Sequence, residues 1–252
     1  MRVSLFDTPV DILTMDETLN RAITAMETRT RCQHVALNVA KLVNARTDRE
    51  LDQDVRDSDI VGIDGMGIVL ALKLAGHEVP ERVAGVDLFE RLMAVSADKG
   101  FRPYLLGATQ EVLERTQAEL LRRHPTLQFA GAQHGYFKPE EDGRIAEAVR
   151  DSKADCLFIA MPTPRKERFM RAFRDTMGVP FLMGVGGTFD VVAGHVQRAP
   201  EIYQKMGMEW LYRMMQEPRR MFWRYARTNA IFFTMLLPVA LKRLVGIKSP
   251  AA

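Results

Sequence analysis

Short, β-rich apolar runs alternate along this chain with longer amphipathic stretches, and that alternation limits the possible folds more than any other feature. The runs are HVALN at 34–38, IVGI at 60–63, PYLLG at 103–107, LQFAGA at 127–132, DCLFIAM at 155–161 and PFLMGVG at 180–186. Between them, 109–124 and 140–152 carry apolar residues three and four apart with charges elsewhere, which is the helical period. Strands bounded by helices predict an α/β fold, a parallel sheet with helices on both faces. Ligands of such sheets gather beyond the carboxyl ends of the strands. The residues at those ends are Asn38, Asp64, Gly107, HGYF at 134–137, PTPRKE at 162–167 and GGTFD at 186–190.

A chain of 252 residues accommodates one large α/β domain, or one domain with an appendage. An apolar share of 47% and a charged share of 27% are those of an ordinary globular protein, so disorder is not expected. Cys32 and Cys156 stand far apart in apolar contexts without CxxC spacing, which predicts buried, reduced thiols and a cytosolic compartment. The N-terminus, MRVSLFDTPVDILTMDE, lacks the basic region and long apolar core of a secretory signal, so export is not expected.

The pattern changes after Pro200. The stretch 201–216 reads as one helix, Pro218 suits the first turn of another, and no strand follows. Residues 198–252 hold ten Lys or Arg against three Glu, a net +7, which leaves −4 for the preceding residues. A basic tail on a mildly acidic body points to an anionic surface, membrane or nucleic acid. Arg220, Arg224 and Arg227 are spaced to share one helical face. TNAIFFTMLLPVAL at 228–241 is nearly all apolar and closed by Lys242 and Arg243, yet shorter than the roughly 20 residues that span a bilayer. The expectation is therefore a helix lying on a membrane, with Phe232, Phe233, Leu236 and Leu237 dipping in, and no nucleic-acid partner. Burial against the sheet or a partner subunit is the competing reading of this segment.

Within IVGIDGMGIV at 60–69 a single acid follows an apolar strand and precedes two glycines. Asp-Gly alone would make a turn. An apolar strand that delivers Asp64 to the ligand edge suggests a general base instead. GVGGTFD at 184–190 lacks the G-x-G-x-x-G spacing of a dinucleotide fingerprint, although Gly186 and Gly187 would let backbone come close to a diphosphate. Arg165 and Lys166 of TPRKE follow a strand at a helix start, where basic groups and free amides meet phosphate. DSD at 57–59 has metal-binding spacing but precedes its strand, so Asp57 and Asp59 are expected at the wrong end of the sheet, as a solvated cap or turn. The five histidines show no paired ligand spacing, and neither a metal nor a cofactor is expected.

Taken in order, these motifs resemble the WecG/TagA/CpsF family of glycosyltransferases, which build bacterial surface polysaccharides and teichoic acid linkage units. The resemblance runs from about Val35 to Arg227. It rests on VALNVAKLVNAR at 35–46, DIVGIDGMGIV at 59–69, ERVAGVDL at 81–88, GVGGTFDVVAGHVQRAP at 184–200 and GMEWLYRMMQEPRRMFWRY at 207–225.

The resemblance implies a Rossmann-like catalytic core, residues 1–199, and a helical membrane-associating appendage, residues 200–252, that helps to build the active site. It also implies inverting transfer of a sugar from a UDP-sugar to a polyprenyl-diphosphate-linked sugar at the cytoplasmic face of the membrane, without an obligatory metal. The family's proposed base falls on Asp64, its Asn after the first core strand on Asn38 and its motif arginine on Arg82. The appendage arginines fall among Arg213, Arg220, Arg224 and Arg227. Gly107, Arg165, Lys166, Glu167, Gly186, Gly187 and Asp190 complete the candidate substrate contacts. Ala36 replaces a common Thr, and Pro162 and Lys166 depart from GSPKQE, so N-acetylmannosamine, glucose or another hexose all stay open. Self-association is left open too. The competing readings are a nucleotide-dependent oxidoreductase, disfavoured by the missing fingerprint, and a catalytically silent membrane-peripheral scaffold of a polysaccharide assembly complex.

Overall fold

The computed structural model describes residues 1–244, apart from the side chains of Lys205, Arg220, Met221, Arg224 and those from Lys242 onward. The chain opens with a hairpin, β1 (Arg2–Leu5) and β2 (Thr8–Asp11), followed by α1 (Met15–Thr28). Then come β3 (Cys32–Leu37), α2 (Val39–Ala45), α3 (Arg49–Arg56), β4 (Ile60–Ile63), α4 (Met66–Leu74) and α5 (Gly85–Lys99). The second half runs β5 (Pro103–Gly107), α6 (Gln110–Arg123), β6 (Gly131–Gln133), α7 (Asp142–Asp151), β7 (Cys156–Ala160), α8 (Arg165–Met177) and β8 (Phe181–Gly184). Four helices end it: α9 (Thr188–Val192), α10 (Glu201–Lys205), α11 (Glu209–Gln216) and α12 (Pro218–Leu244).

Strands β3 to β8 form one parallel sheet in the order β4-β3-β8-β7-β5-β6. Because β4, β5, β7 and β8 are buried on both sides, the sheet divides the core in two. One half packs α2, α3, α4, α7 and α8 around Leu42, Val55, Leu72, Val149 and Phe169. The other packs α1, α5, α6 and α9 around Ala22, Phe89, Leu113 and Phe189. This is the Rossmann-like α/β arrangement expected from the sequence, and both cysteines are buried and free.

Three expectations need correcting. The LQFAGA strand lies later and is shorter, Gly131–Gln133, because Gly131 is where the backbone can pass within contact of the Tyr104 ring. The stretch 201–216 is two helices. Gly207 separates them at φ 71°, and a Cβ there would lie 2.7 Å from Met66 Cβ, so the break lets the chain press onto the start of α4. Phe232 and Leu236 do not face outward. They are 5% and 6% exposed in the core beside α2 and α4, while Phe233 and Leu237 on the other side of α12 are 67% and 61% exposed.

The N-terminal hairpin, which the sequence reading left out, seats on the β4 edge. Asp11 accepts from the Val61 amide at 2.8 Å and pairs with Arg2 at 2.7 Å, so the edge strand is covered. At the amino end of β4, Asp59 accepts from the Gln33 amide and from Arg174, which bears out the placement of DSD away from the ligand edge.

Candidate active site

Asp64 leaves β4 with all of its main-chain and one of its carboxylate contacts fixed. Its amide donates to the Leu37 carbonyl at 3.0 Å, Arg82 donates to its carbonyl at 3.5 Å, and the Gly85 amide donates to its Oδ1 at 2.8 Å. Residues 82–85, which lead into α5, supply two of these contacts because the Val83 amide donates to the Ile63 carbonyl, continuing the edge of β4. The side chain is half-buried. Beside it, Asn38 caps α2, and its Oδ1 accepts from the Lys41 amide at 3.0 Å. With the oxygen so engaged, the Asn38 amide nitrogen is the group left to donate outward. Gly65 allows the two turns to meet, since a Cβ there would lie 3.3 Å from that of Asn38.

These residues border a cavity of about 380 Å³. Asn38, Asp64 and Arg82 form its polar end, joined from α11 by Glu209 and Arg213 and from the preceding loop by Arg198. Arg82 is ion-paired with Glu209, and Arg198 makes a bidentate pair with Asp87 at 2.6 and 2.7 Å. Arg213 differs. Its guanidinium lies over Gly187, where a Cβ would fall 2.4 Å from Nη2, and its Nε is enclosed with no hydrogen-bond partner among the described residues. A buried cationic donor of this kind is primed for an anionic oxygen. The opposite wall is apolar, made by Val39, Met66, Leu70, Trp210, Phe232, Phe233 and Leu236.

Other expected residues stand apart from this cavity. Gly107 has φ 129° and lies where a Cβ would sit 2.4 Å from the Ala160 carbonyl oxygen, so glycine there serves the β5–β7 contact. Arg165 turns toward α7, pairing with Asp142 at 2.5 Å beneath the Phe137 ring. Lys166 and Glu167 are buried. Glu167 accepts from Lys41 at 2.9 Å and Lys166 at 2.8 Å, and Lys41 also donates to the Ala36 carbonyl. Burial alone would push the Glu167 carboxyl up, but the two ammonium groups outweigh it and hold the pKa at about 2. Gly186, at φ 56°, and Asp190 are half-buried around the turn into α9, outside the cavity lining. Arg227 is exposed on α12, and the Arg220 and Arg224 side chains lie outside the described residues.

Comparison with known families matches residues 3–245 to the glycosyl transferase WecG/TagA/CpsF family. The chain belongs to that family. As a WecG/TagA/CpsF glycosyltransferase it acts in surface polysaccharide synthesis, on a sugar donor and an acceptor. Glu209 and Arg198 line the cavity and were not singled out from the sequence. The available signal for Glu209 was an acid next to Trp210 in a tail of ten Lys or Arg and three Glu. No described helix is long and apolar enough to cross a membrane.

Proposed function

We propose that this glycosyltransferase moves a hexose or N-acetylhexosamine from a UDP-sugar to a polyprenyl-diphosphate-linked sugar, with inversion at the anomeric carbon. The observation that carries the reading is the cavity itself. Asp64, with one carboxylate oxygen that has no partner among the described residues, the Asn38 amide and the guanidinium groups of Arg82, Arg198 and Arg213 meet there opposite an apolar wall. Asp64 removes the proton of the acceptor hydroxyl as that oxygen attacks the anomeric carbon. The bond from that carbon to the UDP oxygen breaks on the opposite face. Arg213, with the α12 arginines, stabilises the negative charge that gathers on the departing diphosphate.

The apolar wall suits the lipid part of the acceptor. The exposed side of α12, with Trp223, Phe233, Leu237 and Leu241, suits the inner face of the membrane. A panel of UDP-sugars, assayed for UDP release with a short-chain prenyl-diphosphate-sugar acceptor, tests the proposal. Release with no donor in the panel would favour the catalytically silent scaffold.

A further inference from the structure

We infer that the main-chain amide of Gly85 is the positioning group that orients Asp64 and selects Oδ2 as the proton-accepting atom. The inference rests on the proposed role of Asp64 as base. A carboxylate at a strand end has two equivalent oxygens and two side-chain torsions, so strand placement alone leaves its reactive lone pair undirected. Here the Gly85 amide, at the first position of the 15-residue helix α5, donates to Oδ1 at 2.8 Å. No helical carbonyl competes for that amide, because first-turn amides have no partner within their own helix. The backbone on both sides of the bond is held as well, by the Asp64 amide on the Leu37 carbonyl and the Val83 amide on the Ile63 carbonyl. The bond therefore joins two fixed frames, which leaves Oδ2 as the oxygen without a hydrogen-bond partner among the described residues.

The charged and titratable groups that line the cavity with Asp64 are Arg82 before α5, Arg198, and Glu209, Tyr212 and Arg213 on α11, with Tyr225 on α12. Arg82 and Glu209 neutralise each other, and Arg198 is neutralised by Asp87.

Proline at position 85 deletes the donor and crowds the Oδ1 site. It suits the first helical position, and Ala84, at φ −69° and ψ 133°, already has the backbone that a residue before proline adopts. Gly85→Ala is the control that keeps the amide. Its Cβ would lie 3.7 Å from Asp64 Oδ1, an ordinary contact. With the donor and acceptor that support turnover, Gly85→Pro should lower kcat by about 10- to 100-fold with little change in KM, the scale of a misplaced reacting group. Gly85→Ala, which keeps the amide, should stay near the wild-type kcat.

The Gly85 amide proton resonance gives a second readout that needs no proline variant. In the wild-type protein it should lie downfield, as the proton of a hydrogen-bonded amide does, and in Asp64→Ala it should move upfield. If Asp64→Asn is inactive but Gly85→Pro matches Gly85→Ala, or the Gly85 resonance is unmoved in Asp64→Ala, the positioning role is overturned and the base assignment stands. An active Asp64→Asn enzyme overturns both.

Discussion

Arg82 and Glu209 form an ion pair between the segment that precedes α5 and the first turn of α11, with side chains 14% and 28% exposed. The pair fastens the last part of the chain to the sheet edge that carries Asp64. In a double-mutant cycle of Arg82→Ala and Glu209→Ala, unfolding by denaturant should give a coupling of about 1 kcal/mol, the upper range for a partly exposed pair. A coupling of zero would show that this pair does not hold the helices to the core.

Asp64→Asn is expected to fold like the wild type and to turn over about 10²-fold more slowly or worse, since the amide can still accept from Gly85 but cannot take a proton. The check is turnover at saturating donor and acceptor, with circular dichroism to confirm folding. Turnover near the wild-type rate would remove Asp64 from the mechanism.

Glu167 is completely buried between Lys41 and Lys166. Glu167→Ala leaves two buried ammonium groups without their carboxylate and should cost about 3–5 kcal/mol of stability. The thermal midpoint reads this. A midpoint within a degree or two of wild type would mean that the trio contributes little.

Two buried groups oppose each other in acid. Burial pushes the His34 imidazole down to about 4 and the Asp54 carboxyl up to about 6. Neutral His34 contributes stability that is present above pH 6.5 and lost as pH falls through about 4. Protonated Asp54 contributes stability that is present below pH 3.8 and lost as pH rises through about 6. Between pH 4 and 6 the two slopes largely cancel. Asp54→Asn should therefore make the thermal midpoint climb with pH across that window relative to wild type, and His34→Gln should make it fall. Parallel profiles for all three proteins would refute the compensation.

The two sides of α12 should respond differently to substitution. Phe232→Ala and Leu236→Ala, which empty core positions, should each cost about 2–5 kcal/mol. Phe233→Asp and Leu237→Asp, on the exposed side, should leave stability nearly unchanged while reducing sedimentation with vesicles that contain phosphatidylglycerol. If both aspartate variants pelleted like wild type, this side of α12 would not be the membrane contact.

The sequence by itself determined the sheet and the acid at its edge. Strands such as PYLLG and CLFIA are buried at every position because helices cover both faces, so their burial is written into composition at a period that needs no partner to be read. The Asp-Gly after IVGI was legible for the same reason.

The hairpin was not, because Phe6 and Asp7 adopt positive φ, at 51° and 66°, without the Asn-Gly that usually marks such a turn. Only the tertiary structure separated Arg213, which reaches the cavity, from Arg165, which Asp142 holds away from it. It alone set Phe232 inward and Phe233 outward in one apolar run. An arginine beyond a strand end, or an apolar residue on a helix, carries the same local signal whichever neighbour it meets. Which neighbour that is depends on contacts far apart in sequence, such as Gly67 opening room for Val39 and Phe232, and local periodicity does not encode those contacts.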